Sequence, residues 1–165
     1  HFKLVVENGG DQEWVKRGYA FFGRDNARTP MQWDSSTQAG FTTGEPWIAV
    51  NPNSAEINAS AATADRNSIF FHYQHLIDLR HKDPVIVNGD YELLNADDAH
   101  IYSFVRSLED EGLLLLANWS DEPQVAAVPN EFVRAARVIS QNYPDAPELS
   151  NEVSLRAWEA VVYRW

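Results

Sequence analysis

The chain has 165 residues, of which 44% are hydrophobic and 22% charged, and a formal net charge of −11. That apolar content lies away from the low-hydrophobicity corner where chains stay disordered, and the negative charge repels phosphate backbones and anionic lipid, so neither a nucleic-acid partner nor a membrane is expected. Without cysteine there are no disulfides or thiolate metal sites, which favours a cytoplasmic location.

No signal peptide is visible at the start, and the longest apolar run, Leu113 to Ala117, is far shorter than the roughly 20 residues of a membrane span. The first residue is His1 and the only methionine is Met31. A piece of a longer chain is therefore expected.

In chain order, Asp11 to Phe22 can form a short helix, which Gly18 weakens. From Gly23 to Ala64 there is little periodicity. Some forty structureless residues are unusual in a compact domain unless they pack on a larger body. The main helix is expected over 67–82, capped by Asn67 or Ser68. Ile69, Phe70, Tyr73, Leu76 and Ile77 recur at spacings of three and four, an apolar stripe that needs a core. Arg80, His81 and Lys82 suit the negative end of the helix dipole, and Pro84 forbids continuation.

Beyond Pro84 the period changes. Strands are expected over 91–94, 100–108, 113–119, 124–128, 137–140 and 158–165, from their β-branched and aromatic content. Glu109-Asp110-Glu111-Gly112 reads as a hairpin connection. About six short strands with regular turns imply an all-β antiparallel sandwich. The expected organisation is thus 1–82, loops and a last helix, followed by 83–165, a β domain.

The most informative stretch is Gly23-Arg24-Asp25-Asn26-Ala27-Arg28-Thr29-Pro30-Met31-Gln32-Trp33-Asp34, followed by Ala39-Gly40-Phe41-Thr42-Thr43-Gly44-Glu45-Pro46-Trp47-Ile48. Two Arg forks, several acceptors and an indole suit a hydroxyl-rich ligand, although a polar loop held by its own ion pairs would have the same composition. The string itself resembles the α-glucosidase branch of glycoside hydrolase family 13. The resemblance continues through the helix ending Leu76-Ile77-Asp78-Leu79-Arg80 and, more loosely, into the β region.

That resemblance implies the end of a (β/α)8 barrel, with a pocket loop over 23–34 and a last helix over 67–82, followed by a small antiparallel β domain: an α+β fragment. It implies a retaining α-glucosidase acting at the non-reducing end of short α-linked glucosides, with α-1,6 the expected linkage. Such enzymes use two carboxylates whose carboxyl groups lie about 5–5.5 Å apart. The family places all its catalytic carboxylates on earlier barrel strands, and no matching motif occurs here, so no catalytic residue is assigned. By position, Arg24 matches an arginine that helps hold the terminal glucose, and Arg28 one that supports the loop. The partners implied are an α-glucosidic oligosaccharide and the remainder of the barrel. No cofactor and no metal are implied.

Trp33 and Trp47 are expected to pack rather than to stack on sugar. His72 and His75 have a ligand spacing but no third partner. Asn58-Ala59-Ser60 and Asn118-Trp119-Ser120 fit the glycosylation pattern. Two other readings stand beside the first. One keeps the family with sucrose-isomerase or trehalose-6-phosphate hydrolase specificity. The other is a stand-alone carbohydrate-binding or structural β-sandwich, which would gain force if several aromatics lay exposed on one sheet face.

Overall fold

The computed structural model describes residues 2–165 and divides into two compact units, one ending at His72 and one over Tyr73–Trp165. The division falls within a helix.

The first unit contains α1 (Phe2–Glu7), α2 (Gln12–Phe22), α3 (Ala59–Ala64) and the start of α4 (Ile69–Lys82). Asp11 caps α2: its carboxylate accepts from the Glu13 and Trp14 N–H groups at 2.8 and 3.3 Å. Between α2 and α3 only short 3-10 turns occur, yet the stretch is tied down. The Ala59 and Ser60 N–H groups donate to the Gln32 and Trp33 carbonyls at 2.8 and 2.9 Å. Asn58 is buried, caps α3 by accepting from the Ala61 N–H, and donates to the Ser54 carbonyl at 2.9 Å. Its place in a glycosylation-like triplet thus has a structural cause.

Ser68 leads into α4: its carbonyl accepts from the His72 N–H at 3.1 Å, while its hydroxyl turns back to the Ala62 carbonyl. The apolar stripe is present, but no residue of α4 is buried, and Ile69 remains 77% exposed. Pro84 ends α4 and also starts an unexpected helix, α5 (Pro84–Asn88), because proline has no N–H to lose at a first helical position. Asp83 caps α5, accepting from the Val85 N–H at 2.9 Å.

The second unit is built on β1 (Asp90–Leu94), β2 (Ile101–Leu108), β3 (Glu111–Asn118), β4 (Gln124–Ala127), β5 (Arg137–Gln141), β6 (Glu152–Leu155) and β7 (Ala160–Arg164). Five strands form one antiparallel sheet in the order β1-β2-β3-β7-β5, and β4 pairs with β6 in a second. β6 was not expected; the other strands fall where composition places them, with ends shifted by a residue or two. The β2–β3 connection is tighter than expected. Leu108 pairs with Glu111, leaving only Glu109 and Asp110 in the turn.

One face of the five-stranded sheet supplies Leu94, Val105, Leu114, Leu116, Val161 and Tyr163 to a core completed by Ala126, Val128, Val153 and Leu155 around the second sheet. The opposite face is covered at one end by α5. There Val85 is fully buried and the Arg106 guanidinium donates to the Val85 and Gly89 carbonyls at 3.2 and 2.6 Å. Gly89 is required at this junction, since a Cβ would lie 2.5 Å from the Val85 carbonyl oxygen.

Candidate pocket loop

The segment 23–34 leaves α2 at Gly23 and makes one 3-10 turn, Asp25–Ala27. The Arg24 carbonyl accepts from the Ala27 N–H and the Asp25 carbonyl from the Arg28 N–H, both at 3.0 Å. Arg24 and Arg28 flank this turn and are exposed. Among the described residues, neither guanidinium meets an acceptor. The loop is therefore not held by its own arginine–carboxylate pairs, which was the competing reading of its composition.

Its far end is rigid for another reason. Gln38, Ala39 and Gly40 follow one another at φ 54°, 53° and 66°. Left-handed backbone costs a residue with a Cβ roughly 1–2 kcal/mol, and here it aims one carbonyl usefully: the Ala39 oxygen accepts from both the Trp33 and Asp34 N–H groups at 2.9 and 3.3 Å. Asp34 closes the structure, accepting from the Ser36 hydroxyl and N–H, which lower its pKa in that order. Gly40 fits against this carboxylate; a Cβ there would lie 2.8 Å from Asp34 Oδ2. The sequence showed only a stretch without periodicity here, and three successive left-handed residues were not expected.

Trp33 and Trp47, expected to pack, are exposed among the described residues, Trp47 completely. The Asp and Glu side chains with displaced pKa values are all lowered. Asp98 is held down by the His100 and Ile101 N–H groups, Asp78 by Lys82, and Asp145 and Glu159 by Arg156. None of these is the raised carboxylic acid that protonates a glycosidic oxygen. No group of three His, Cys, Asp or Glu that could hold a metal occurs among the described residues. His75 is engaged otherwise, with Nε2 2.6 Å from the Ile139 carbonyl oxygen. Asn118 is buried and fully bonded: its amide donates to the Glu122 and Arg156 carbonyls and its oxygen accepts from Ser120. No helix of the described residues is long and apolar enough to cross a membrane.

In chain order the structure thus gives a loop with exposed guanidinium groups, a helix and an antiparallel β region. The alpha amylase catalytic domain family matches residues 1–89, and the alpha-amylase SusG C-terminal domain matches residues 101–162. The chain belongs to the alpha-amylase family, glycoside hydrolase family 13. It is 45% identical to an oligo-1,6-glucosidase of Parageobacillus thermoglucosidasius over 97% of its own length and 29% of that protein's. With a glucan 1,6-alpha-glucosidase of Streptococcus pneumoniae it shares 39% identity over 94% of its length and 28% of the relative's. Among solved structures, trehalose-6-phosphate hydrolase of Bacillus licheniformis superposes with a TM-score of 0.87 at 34% identity, over 99% of this chain and 30% of that one. The chain thus spans under a third of the length of its relatives and corresponds to their C-terminal part.

Proposed function

We propose that this chain forms the C-terminal part of a retaining α-glucosidase that removes glucose from the non-reducing end of short α-linked, chiefly α-1,6, glucosides. The observation that carries this reading is the 45% identity to an oligo-1,6-glucosidase over nearly the whole chain. In this proposal Arg24 donates to hydroxyls of the terminal glucose, for which its unpaired, exposed guanidinium is suited. Arg28 braces the loop against acceptors supplied by the rest of the barrel, since none lies among the described residues. The proposed domain boundary is 82/83, where Asp83 caps α5 and receives Arg164 of β7 at 2.9 Å. A cysteine-free chain suits a reducing compartment, and we place the protein in the cytoplasm.

The test joins this chain to the preceding part of the Parageobacillus thermoglucosidasius enzyme, replacing the matched C-terminal region. The chimera is expected to hydrolyse isomaltose, and the 165-residue chain alone to give no turnover. In the chimera, Arg24→Ala is expected to lower kcat/KM by about tenfold to a hundredfold, the range of one charge-assisted hydrogen bond. A folded chimera without activity, or turnover by the isolated chain that survives repurification, would overturn the reading.

A further inference from the structure

The sheet register places a row of aromatic side chains on the face opposite the core. Tyr91 of β1 sits opposite Arg106 and Leu93 opposite Phe104; Tyr102 sits opposite Ala117, and the Trp119 N–H extends that ladder to the His100 carbonyl at 2.7 Å. Residues two apart on a strand share a face. Tyr91, Leu93, Tyr102, Phe104 and Trp119 therefore line one surface. The rings are in contact: Phe104 lies 5.2 Å from Tyr91 and 5.6 Å from Tyr102, and the two tyrosine hydroxyls are 3.3 Å apart. Tyr91 and Trp119 are nevertheless 51% and 65% exposed.

At one end this face becomes concave. The loop 95–100 rises beside Leu93, Tyr102 and Trp119 and encloses a cleft of about 200 Å³. Its walls are fixed. Asn95, at φ 49°, donates to the Ser103 hydroxyl at 2.8 Å and the Ala127 carbonyl at 3.0 Å. Asp98 Oδ1 accepts from the His100 and Ile101 N–H groups at 2.8 and 2.9 Å, which fixes the loop and leaves Oδ2 to accept from a ligand hydroxyl.

We propose that this cleft is a non-catalytic binding site for one ring of a neutral glucose oligosaccharide. Three properties select that ligand. Indole and phenol faces at a half-wet surface match the C–H face of a pyranose, and the Trp119 indole N–H, which meets no acceptor among the described residues, can donate to its rim. The cleft is lined by no Lys or Arg that would recruit an anion, and its one carboxylate, Asp98, can accept from a sugar hydroxyl. Its volume falls below the ~300–1,000 Å³ of drug-sized sites, which leaves room for a single sugar ring. The proposal rests on the glucosidase reading only for the choice of probe.

The experiment is calorimetric titration of the 165-residue chain with isomaltotriose. Binding with a dissociation constant on the order of 1 mM is expected. Trp119→Ala should weaken it at least tenfold and Tyr102→Ala severalfold, whereas Trp47→Ala should leave it unchanged; circular dichroism and Tm check that each variant is folded. No binding to the wild-type chain at about a hundred times that concentration overturns the proposal, as does binding that Trp119→Ala leaves intact or Trp47→Ala abolishes. A silent titration would leave the glucosidase reading standing, because the chimera tests that separately.

Discussion

The two units solve the problem of apolar surface differently. In the β unit the strands alternate, and one row after another of Leu, Val and Tyr side chains disappears into a core shared by two sheets. Among the described residues of the first unit few apolar side chains are buried, Val15, Pro30 and Ala39 among them, while Trp14, Phe21, Phe22, Trp33 and Trp47 remain exposed. Yet its loop is anchored by many backbone hydrogen bonds and by a left-handed turn at Gln38 to Gly40. Hydrogen bonds give the first unit its local shape; hydrophobic burial gives the second its stability. At roughly 25 cal/mol per Å² of apolar surface removed from water, stabilisation follows burial, so the two units should respond very unequally to mutation.

The largest difference is expected for core truncation. Leu114→Ala, at a fully buried position in the middle of β3, should cost about 2–5 kcal/mol in chemical denaturation of the chain. The control is Ile69→Ala, the same kind of truncation on the exposed stripe of α4, which should stay within about 0.5 kcal/mol. Equal losses at the two positions would abolish the contrast.

A smaller loss is expected where α5 meets the sheet. Arg164 is nearly buried and is held by Asp83 at 2.9 Å and Glu111 at 2.6 Å. Burial works to raise the Asp83 pKa, but its hydrogen bonds from Arg164 and the Val85 N–H outweigh that and leave it lowered. A carboxyl whose folded pKa is depressed contributes stability above its unfolded value, about 3.9, and loses it as pH falls through the folded value. Asp83→Asn keeps an acceptor for the α5 cap but leaves Arg164 with one carboxylate. It should cost about 1–3 kcal/mol at pH 7, and the cost should shrink as both proteins are unfolded below about pH 4. A pH-independent difference would place the effect in packing rather than in the ion pair.

The same contrast governs what could be read from the sequence. Alternation and β-branched content located six strands because each buries a face. β6 escaped because Glu152-Val153-Ser154-Leu155 offers only two apolar residues, which are meaningful once β4 lies beside them. α5 escaped because Pro84 was read as a stop, when after Asp83 it is also a start. The pocket loop was legible as a string of residue types, but its left-handed turn is not a matter of composition. Trp33 and Trp47, expected to pack, meet no covering core among the described residues, as suits loops expected to lie on a larger body. The aromatic row from Tyr91 to Trp119 needed the register, since the sequence alone does not say that residues 91, 102 and 119 share a face.

The smallest effect probes how the sheet is nucleated at its tightest connection. The two-residue turn between β2 and β3 puts Glu109 at φ 55°, a conformation that glycine, asparagine or aspartate adopts at less cost. Glu109→Asn removes that strain without adding the backbone freedom that glycine would bring to the unfolded chain. The variant should be more stable by less than about 1 kcal/mol. It should also fold faster by a comparable factor if the hairpin forms early, because a gain already realised in the folding transition state appears in the folding rate. A gain seen only as slower unfolding would mean that the β2–β3 turn closes after the core around Leu114 has assembled. Burial, rather than the local turn, would then lead the folding of the β unit, as it leads its stability.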